Sequence, residues 1–405
     1  MGSGTNKLRV LWICHFLNQS VKKRLSIPQG EKEFAPWITL GIEEFKKRDD
    51  IELHIVAPLY PIERDSVFQE DNINYYFIKV GVPCMRRAWP KWFNPEGFLK
   101  YFYFKYRVRA LVNKLKPDII NLHGAENAYY ASSALNLGKY PVLVTIQGFI
   151  TLNNVGDSND PELRRRIEVE EEILRGMKHF GVEATSIERH IRKYNPDAIM
   201  HWSHFPFTKT VVAGTPAKEY DLVFFAKVIK MKGIEDLIWA VSRIKHFMPE
   251  ISLEVIGSTE ETYREHLIEM IEDLDLKANV IFRGFIPTQQ EVHYEVMKAR
   301  ISVLPTYNDT IPGTIIESML LGLPVISYET GGIPDLNLRS ENIILVPQGN
   351  RELLTQEILK LLKDPQRQTE LGGRAKQFAE REFDNANSAD MLIQSYREVI
   401  GDYAG

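Results

Sequence analysis

Apolar runs of four to seven residues recur along this chain, each separated from the next by a stretch of helical periodicity, and the whole pattern occurs twice. The first series reads LRVLWIC, a helical pattern from Glu33 to Lys47, ELHIVAP, NYYFIKV, a long helix near Phe98 to Leu115, DIINLHG and PVLVTIQG. The second reads YDLVFFAKV, SLEVIGS, NVIFRGF, ISVLPTY, PVISYE and IILVP, with helical stretches between them. Short apolar runs alternating with helices are the mark of parallel sheets covered on both faces. Asp157 to Asn195 reads as mostly charged helix, and His201 to Pro216 has neither period, so the linker is expected there. The expected fold is α/β, with two Rossmann-like doubly wound domains whose strand-end loops face each other across a cleft. The first domain is expected at 1–207, joined by a returning helix at about 385–405, and the second at 208–384.

The 405 residues, 44% of them hydrophobic, suffice for two cored domains. Two cysteines, Cys14 and Cys84, make no disulfide framework, and no Cys/His cluster suggests a metal. A reducing cytoplasm is the expected location. MGSGTNK lacks the charged start and cleavage site of a signal peptide, Met1 to Thr5 read as a cloning remnant, and no run has the roughly 20 apolar residues of a membrane span. A net charge of −4 gives nucleic acid no general reason to bind. The charge is unevenly spread, however. Cys84 to Lys116 carries nine Lys or Arg against the single acid Glu96, a local +8 that leaves −12 for the remainder. The segment is also rich in aromatic residues, among them Trp89, Trp92, Phe98, Phe102 and Tyr106. Two readings stay open: peripheral contact of 84–116 with an anionic membrane or lipid diphosphate, and a core-facing helix with a solvated charged face.

The densest chemistry lies in PTYNDTIPGTIIESMLLGLPVISYETGGIPD, Pro305 to Asp335. It follows a strand and opens a helix, so Ile311, Gly313 and Thr314 sit where unpaired amides and positive partial charge suit a phosphate. Asp309 precedes the helix and Glu317 stands one turn inside it. Carboxylates repel phosphate, so their expected targets are sugar and ribose hydroxyls. Gly331 and Gly332 permit a tight turn close to a ligand.

This segment resembles the carboxylate-x7-carboxylate signature of glycosyltransferase family 4, retaining enzymes of the GT-B fold, with Asp309 in place of the usual Glu and Glu317 as the second acid. FFAKVIKMKGIEDLIWA, Phe224 to Ala240, is similar to the family's diphosphate-binding motif, with Lys227 at the usual Arg position and Lys232 at the Lys. VIGS and FRGFIP resemble its two loops around the base, and bring in Gly257 and Phe285. In the first half, His123 matches the position near the transferred sugar, Gln147 stands where many members have His, and Gly30 lies in a partial match to the acceptor-side glycine loop.

The resemblance implies catalytic roles for His123, Lys227, Lys232 and Asp309. Donor contacts fall to Gly257, Phe285, Ile311, Gly313, Thr314 and Glu317, and acceptor-side positions to Gly30 and Gln147. The implied reaction moves a hexosyl group, with retention, from a nucleotide-diphosphate sugar to a glycan or lipid-linked acceptor in bacterial surface polysaccharide synthesis. It needs no cofactor and no metal, and would take place in the cytoplasm, including the inner face of the plasma membrane. A nucleotide-sugar epimerase of GT-B type and a non-catalytic sugar-nucleotide binder are the alternatives. A dinucleotide oxidoreductase is disfavoured because HFLNQS, after the first strand, has no glycine where GxGxxG requires it.

Overall fold

A computed structural model describes residues 7–28, 34–90, 93–153, 160–207, 214 and 216–404. The chain forms two compact units. The first contains 1–183, 187–206 and 385–405, and the second contains 184–186 and 207–384.

The first unit is built on eight strands: β1 (Leu8–Ile13), β2 (Ile51–Leu59), β3 (Ser66–Glu70), β4 (Ile73–Lys79), β5 (Ile119–His123), β6 (Val142–Thr145), β7 (His179–Val182) and β8 (Ile199–Trp202). Their order is β3-β4-β2-β1-β5-β6-β7-β8. All neighbours pair in parallel except β3 and β4. The 157–195 region, expected to be mostly charged helix, is so, with one strand set between two helices. It contains the Pro161–Gly176 helix, then β7, then the Thr185–Tyr194 helix. The expected helix near Phe98 to Leu115 is likewise two helices, Pro95–Phe98 and Phe102–Leu115.

The C-terminal helix Asn385–Ala404 packs on this sheet and on the Pro36–Lys46 helix. It buries Ile393, Tyr396 and Val399, apolar side chains worth roughly 1.5–3 kcal/mol each when fully covered. The Tyr396 hydroxyl accepts from Trp12 Nε1 at 2.9 Å and from Asn121 Nδ2 at 2.8 Å, which ties the helix to β1 and β5. Further along, Asp402 and Glu398 bond the imidazoles of His179 and His201 on β7 and β8, whose Nδ1 and Nε2 in turn lie 3.1 Å apart.

The second unit has six strands: β9 (Tyr220–Phe225), β10 (Leu253–Ile256), β11 (Val280–Gly284), β12 (Ala299–Leu304), β13 (Val325–Tyr328) and β14 (Ile344–Val346). They are all parallel, in the order β11-β10-β9-β12-β13-β14. The order reverses direction between β9 and β12, the switch point where doubly wound sheets bind ligands beyond their strand ends. The Lys232 and Asp309 loops follow these two strands.

Candidate active site

β9 ends at Phe225, and the chain then turns through the short 3-10 helix Lys230–Lys232 into the Ile234–Lys245 helix. Gly233 makes the turn at φ +76°, and a Cβ there would lie 1.9 Å from the Pro305 carbonyl oxygen, so the two loops touch backbone to backbone. The contact is reinforced on both sides. Tyr307 N donates to Met231 O at 2.9 Å, and Asp236 accepts from the hydroxyls of Tyr307 and Tyr328 and, at 2.6 Å, from Arg351 Nε. Sequence reasoning missed this Asp236 clasp, because an acid in a first helical turn is ordinary.

The clasp sets the central contact. Lys232 Nζ donates to Asp309 Oδ1 at 2.6 Å and Oδ2 at 2.7 Å, and Thr306 Oγ1 adds a bond to Oδ2 at 2.6 Å. Both partners are about one-fifth exposed, with side chains at 21% and 18%, so the pair is reachable from solvent. Lys227, one residue past Ala226, is exposed and makes no ion pair or hydrogen bond among the described residues. Gly257 joins β10 to this end of the sheet, where its would-be Cβ falls 1.8 Å from Ala226 O.

Past Asp309, the Gly313–Leu320 helix opens with Pro312 as its N-cap and no side-chain capping bond, so the Gly313 and Thr314 amides are left to solvent or ligand, while Ile315 N donates to Pro312 O at 3.0 Å. Ile315, Ile316 and Met319 anchor the helix inward. Ile311 is buried, and Glu317, one turn in, accepts from Gln289 Nε2 at 2.7 Å and His293 Nε2 at 3.2 Å. The Gly331–Gly332 turn after β13 presses against the same loop. Gly331 has φ +56° and would place a Cβ 1.6 Å from Asp309 O, and Gly332 N donates to Thr310 O at 2.6 Å. Phe285, 72% exposed just beyond β11, offers a flat apolar face. Lys232 and Asp309 are thus brought into direct contact, and Glu317 and Thr314 share the helix that follows.

The remaining predicted residues stand in the first unit, except that Gly30 lies outside the described residues. His123, at the end of β5, is 4% exposed and burial holds its imidazole down to about 3, so it is neutral. Asn121 Nδ2 stands 3.1 Å from its Nε2, and its Nδ1 has no partner. With the amide donating to Nε2, the proton sits on Nδ1. Gln147 is half-buried just past β6.

The strand ends of this unit also carry a cavity of about 720 Å³, whose lining includes His15, Tyr60, Trp89, Asn94, Tyr129 and Arg166. Behind it Glu126, which sequence reasoning did not single out, has a buried and unpartnered Oε2, and burial pushes its carboxyl up to about 7. That shift lies above the ordinary 4.5, so the folded protein holds a proton that the unfolded chain releases. The stabilisation is complete below about pH 4.5 and is lost as pH rises through 7. Glu126→Gln is therefore expected to raise the melting temperature at pH 8 by a few degrees and to leave it unchanged at pH 4.5. Melting curves at both values check this, and equal shifts at the two would contradict it.

Two doubly wound units in this connectivity, with a phosphate-suited helix start beside a lysine turn, define the GT-B class of glycosyltransferase folds. The solved sucrose-phosphate synthase of Thermosynechococcus elongatus superposes with a TM-score of 0.74 at 18% identity, over 98% of this chain and 100% of that one. The Anabaena HepE protein in complex with UDP gives 0.68 at 14% identity, over 97% and 100%. Residues 208–378 match the family described as Glycosyl transferases group 1, which places the second unit's sequence with the group 1 glycosyltransferases.

Among curated relatives, the poly(glycerol-phosphate) alpha-glucosyltransferase of Bacillus subtilis is 26% identical over 42% of this chain and 25% of its own length. The D-inositol 3-phosphate glycosyltransferase of Paenarthrobacter aurescens is 23% identical over 78% of this chain and 81% of its own. The chain spans 25% and 41% of the first two relatives it matches, the second being an uncharacterized glycosyltransferase of Haemophilus influenzae.

Proposed function

We propose that this chain is a retaining family 4 enzyme that transfers a hexosyl group from a nucleotide-diphosphate sugar to a glycan or lipid-linked acceptor in bacterial surface polysaccharide synthesis. The observation that carries the reading is the Lys232–Asp309 pair beside an uncapped helix start, within the part of the chain that matches the group 1 family. Relatives named for lipopolysaccharide core and poly(glycerol-phosphate) glycosylation support the surface-polymer assignment, and a neighbour solved with UDP supports a nucleoside-diphosphate donor.

Departure of the nucleoside diphosphate leaves negative charge on its terminal phosphate while the sugar becomes oxocarbenium-like. Fixed positive groups aimed at that charge lower the barrier most. Lys227, Lys232 and the Gly313 and Thr314 amides supply them, so the reaction needs no metal in this reading. Asp309 holds the Lys232 ammonium in position and, with Glu317, presents carboxylate oxygens to donor hydroxyls. Phe285 and the Gly257 turn border the base. The acceptor belongs to the first unit, where the aromatic cavity beside Trp89 and Tyr129 offers stacking faces and hydrogen bonds to a sugar; His123 and Gln147 stand outside that lining and keep the sugar contacts that the family resemblance implies. Among the described residues no helix is long and apolar enough to cross a membrane. We place the reaction at the cytoplasmic side of the plasma membrane, with 84–116 in peripheral contact.

The test is a thermal-shift screen of nucleotide sugars followed by product analysis. A donor at about a hundred times its dissociation constant stabilises by about 2.7 kcal/mol, a shift of a few degrees for a chain of this size. If no nucleoside diphosphate or nucleotide sugar moves the transition, the reading is wrong. Conversion of donor without acceptor would replace transfer by epimerisation.

A further inference from the structure

The Phe102–Leu115 helix settles onto its unit through a single stripe, Phe104, Val108 and Val112. Its other faces are not simply charged. Phe102, Tyr103 and Tyr106 are 68%, 47% and 61% exposed, and just before the helix Phe98 and Leu99 are 80% and 62% exposed. Five large apolar side chains therefore crowd one corner of the surface, where folding alone would leave polar ones.

The backbone holds that corner by force. Lys100 and Tyr101, neither a glycine, both sit in the left-handed region at φ +50° and +56°, a conformation that costs about 1–3 kcal/mol each. The Tyr101 ring is buried against Tyr129 at 5.1 Å, and its N–H donates to Glu96 O at 2.7 Å. The sharp turn keeps Tyr101 inside and Phe98 and Leu99 outside.

Cations dominate the charge beside this patch, although the Glu172 carboxylate acts on Lys105 through space. Lys100 and Arg109 are exposed and Lys105 is half-buried, and none of the three is held in an ion pair among the described residues. Glu96, the sole acid of the 84–116 segment, is turned inward, where its carboxylate accepts from Gly81 N at 3.2 Å.

We infer that this corner is a docking surface for an anionic lipid bilayer. Phe98, Leu99 and Phe102 enter the boundary between headgroups and acyl chains, while Lys100, Lys105 and Arg109 face lipid phosphates. A second copy of the chain in a two-fold contact would bring the same three cations against themselves, which like-charge repulsion opposes. The inference narrows the membrane contact proposed above to six side chains, and it is read without reference to sugar transfer.

Co-sedimentation with vesicles tests it, using phosphatidylglycerol mixed into phosphatidylcholine against phosphatidylcholine alone. The wild-type chain is expected to pellet with the anionic vesicles at low salt, and markedly less with neutral ones or at high salt. The triple variant Lys100→Ala, Lys105→Ala, Arg109→Ala should weaken binding by about a hundredfold, at roughly fivefold per cation. The triple variant Phe98→Ser, Leu99→Ser, Phe102→Ser should weaken it by about tenfold or more. Lys114→Ala with Lys116→Ala, at the far end of the same helix, should have a small effect, and a loss as large as that of the corner triple would overturn the geometry. Failure of the wild type to pellet, unchanged binding by both triples, or a dimer in sedimentation velocity that the serine variant dissolves would each overturn the proposal. Donor binding, measured separately by thermal shift, distinguishes any of these results from failure of the enzymatic reading.

Discussion

Lys232→Ala is expected to lower kcat/KM for sugar transfer by two to three orders of magnitude while leaving the fold and its secondary structure intact. The size follows from what is removed. One preorganised donor to a developing anion contributes roughly 10²–10³ in rate, and here the loss also frees Asp309, whose two oxygens Lys232 holds at 2.6 and 2.7 Å. An unneutralised carboxylate beside the diphosphate adds repulsion to the missing attraction. Stability should change far less, by about 1 kcal/mol, because the pair is partly open to solvent and Thr306 still bonds Asp309. Lys232→Arg should recover part of the rate, since charge is kept while the Asp309 contact is rebuilt with a different fork. Turnover at the wild-type level in the alanine variant would remove Lys232 from the leaving-group role.

How far the sequence announces this arrangement depends on whether a feature is local. The strand-end loop, the uncapped helix and the paired glycines between Pro305 and Asp335 are neighbours in the chain, so their residue types betray them. The pairing of Lys232 with Asp309 spans 77 residues, and the resemblance to a known family put both residues at the donor without pairing them. The Asp236 clasp draws on Tyr307, Tyr328 and Arg351 from three other elements and has no local signature at all. Strands β7 and β8 escaped notice for a related reason. HFGV and IMHW are four residues each and carry histidines whose polar atoms are satisfied by Asp402 and Glu398 from the far C-terminus. The break at Lys100 and Tyr101 is invisible because no glycine or proline marks it; burial of Tyr101 imposes it.

Gly331→Ala is expected to be the most damaging of the small substitutions in the second unit. Alanine at φ +56° carries a backbone penalty of about 1 kcal/mol. The clash is worse, because its Cβ would stand 1.6 Å from the Asp309 carbonyl oxygen and no side-chain rotation can relieve a contact between two backbones. Either the glycine turn or the Asp309 loop must move, and the Gly332-to-Thr310 hydrogen bond that joins them goes with it. A total destabilisation of about 2–4 kcal/mol follows. What melts first is the loop that presents Asp309 to Lys232, so donor-induced thermal stabilisation should vanish as well. Gly138→Ala is the matched control: it has no heavy atom within 4 Å of the added methyl group, and should be neutral in both measurements. If Gly331→Ala binds donor and melts like wild type, the glycine turn does not position the Asp309 loop, and the site described above loses one of its supports.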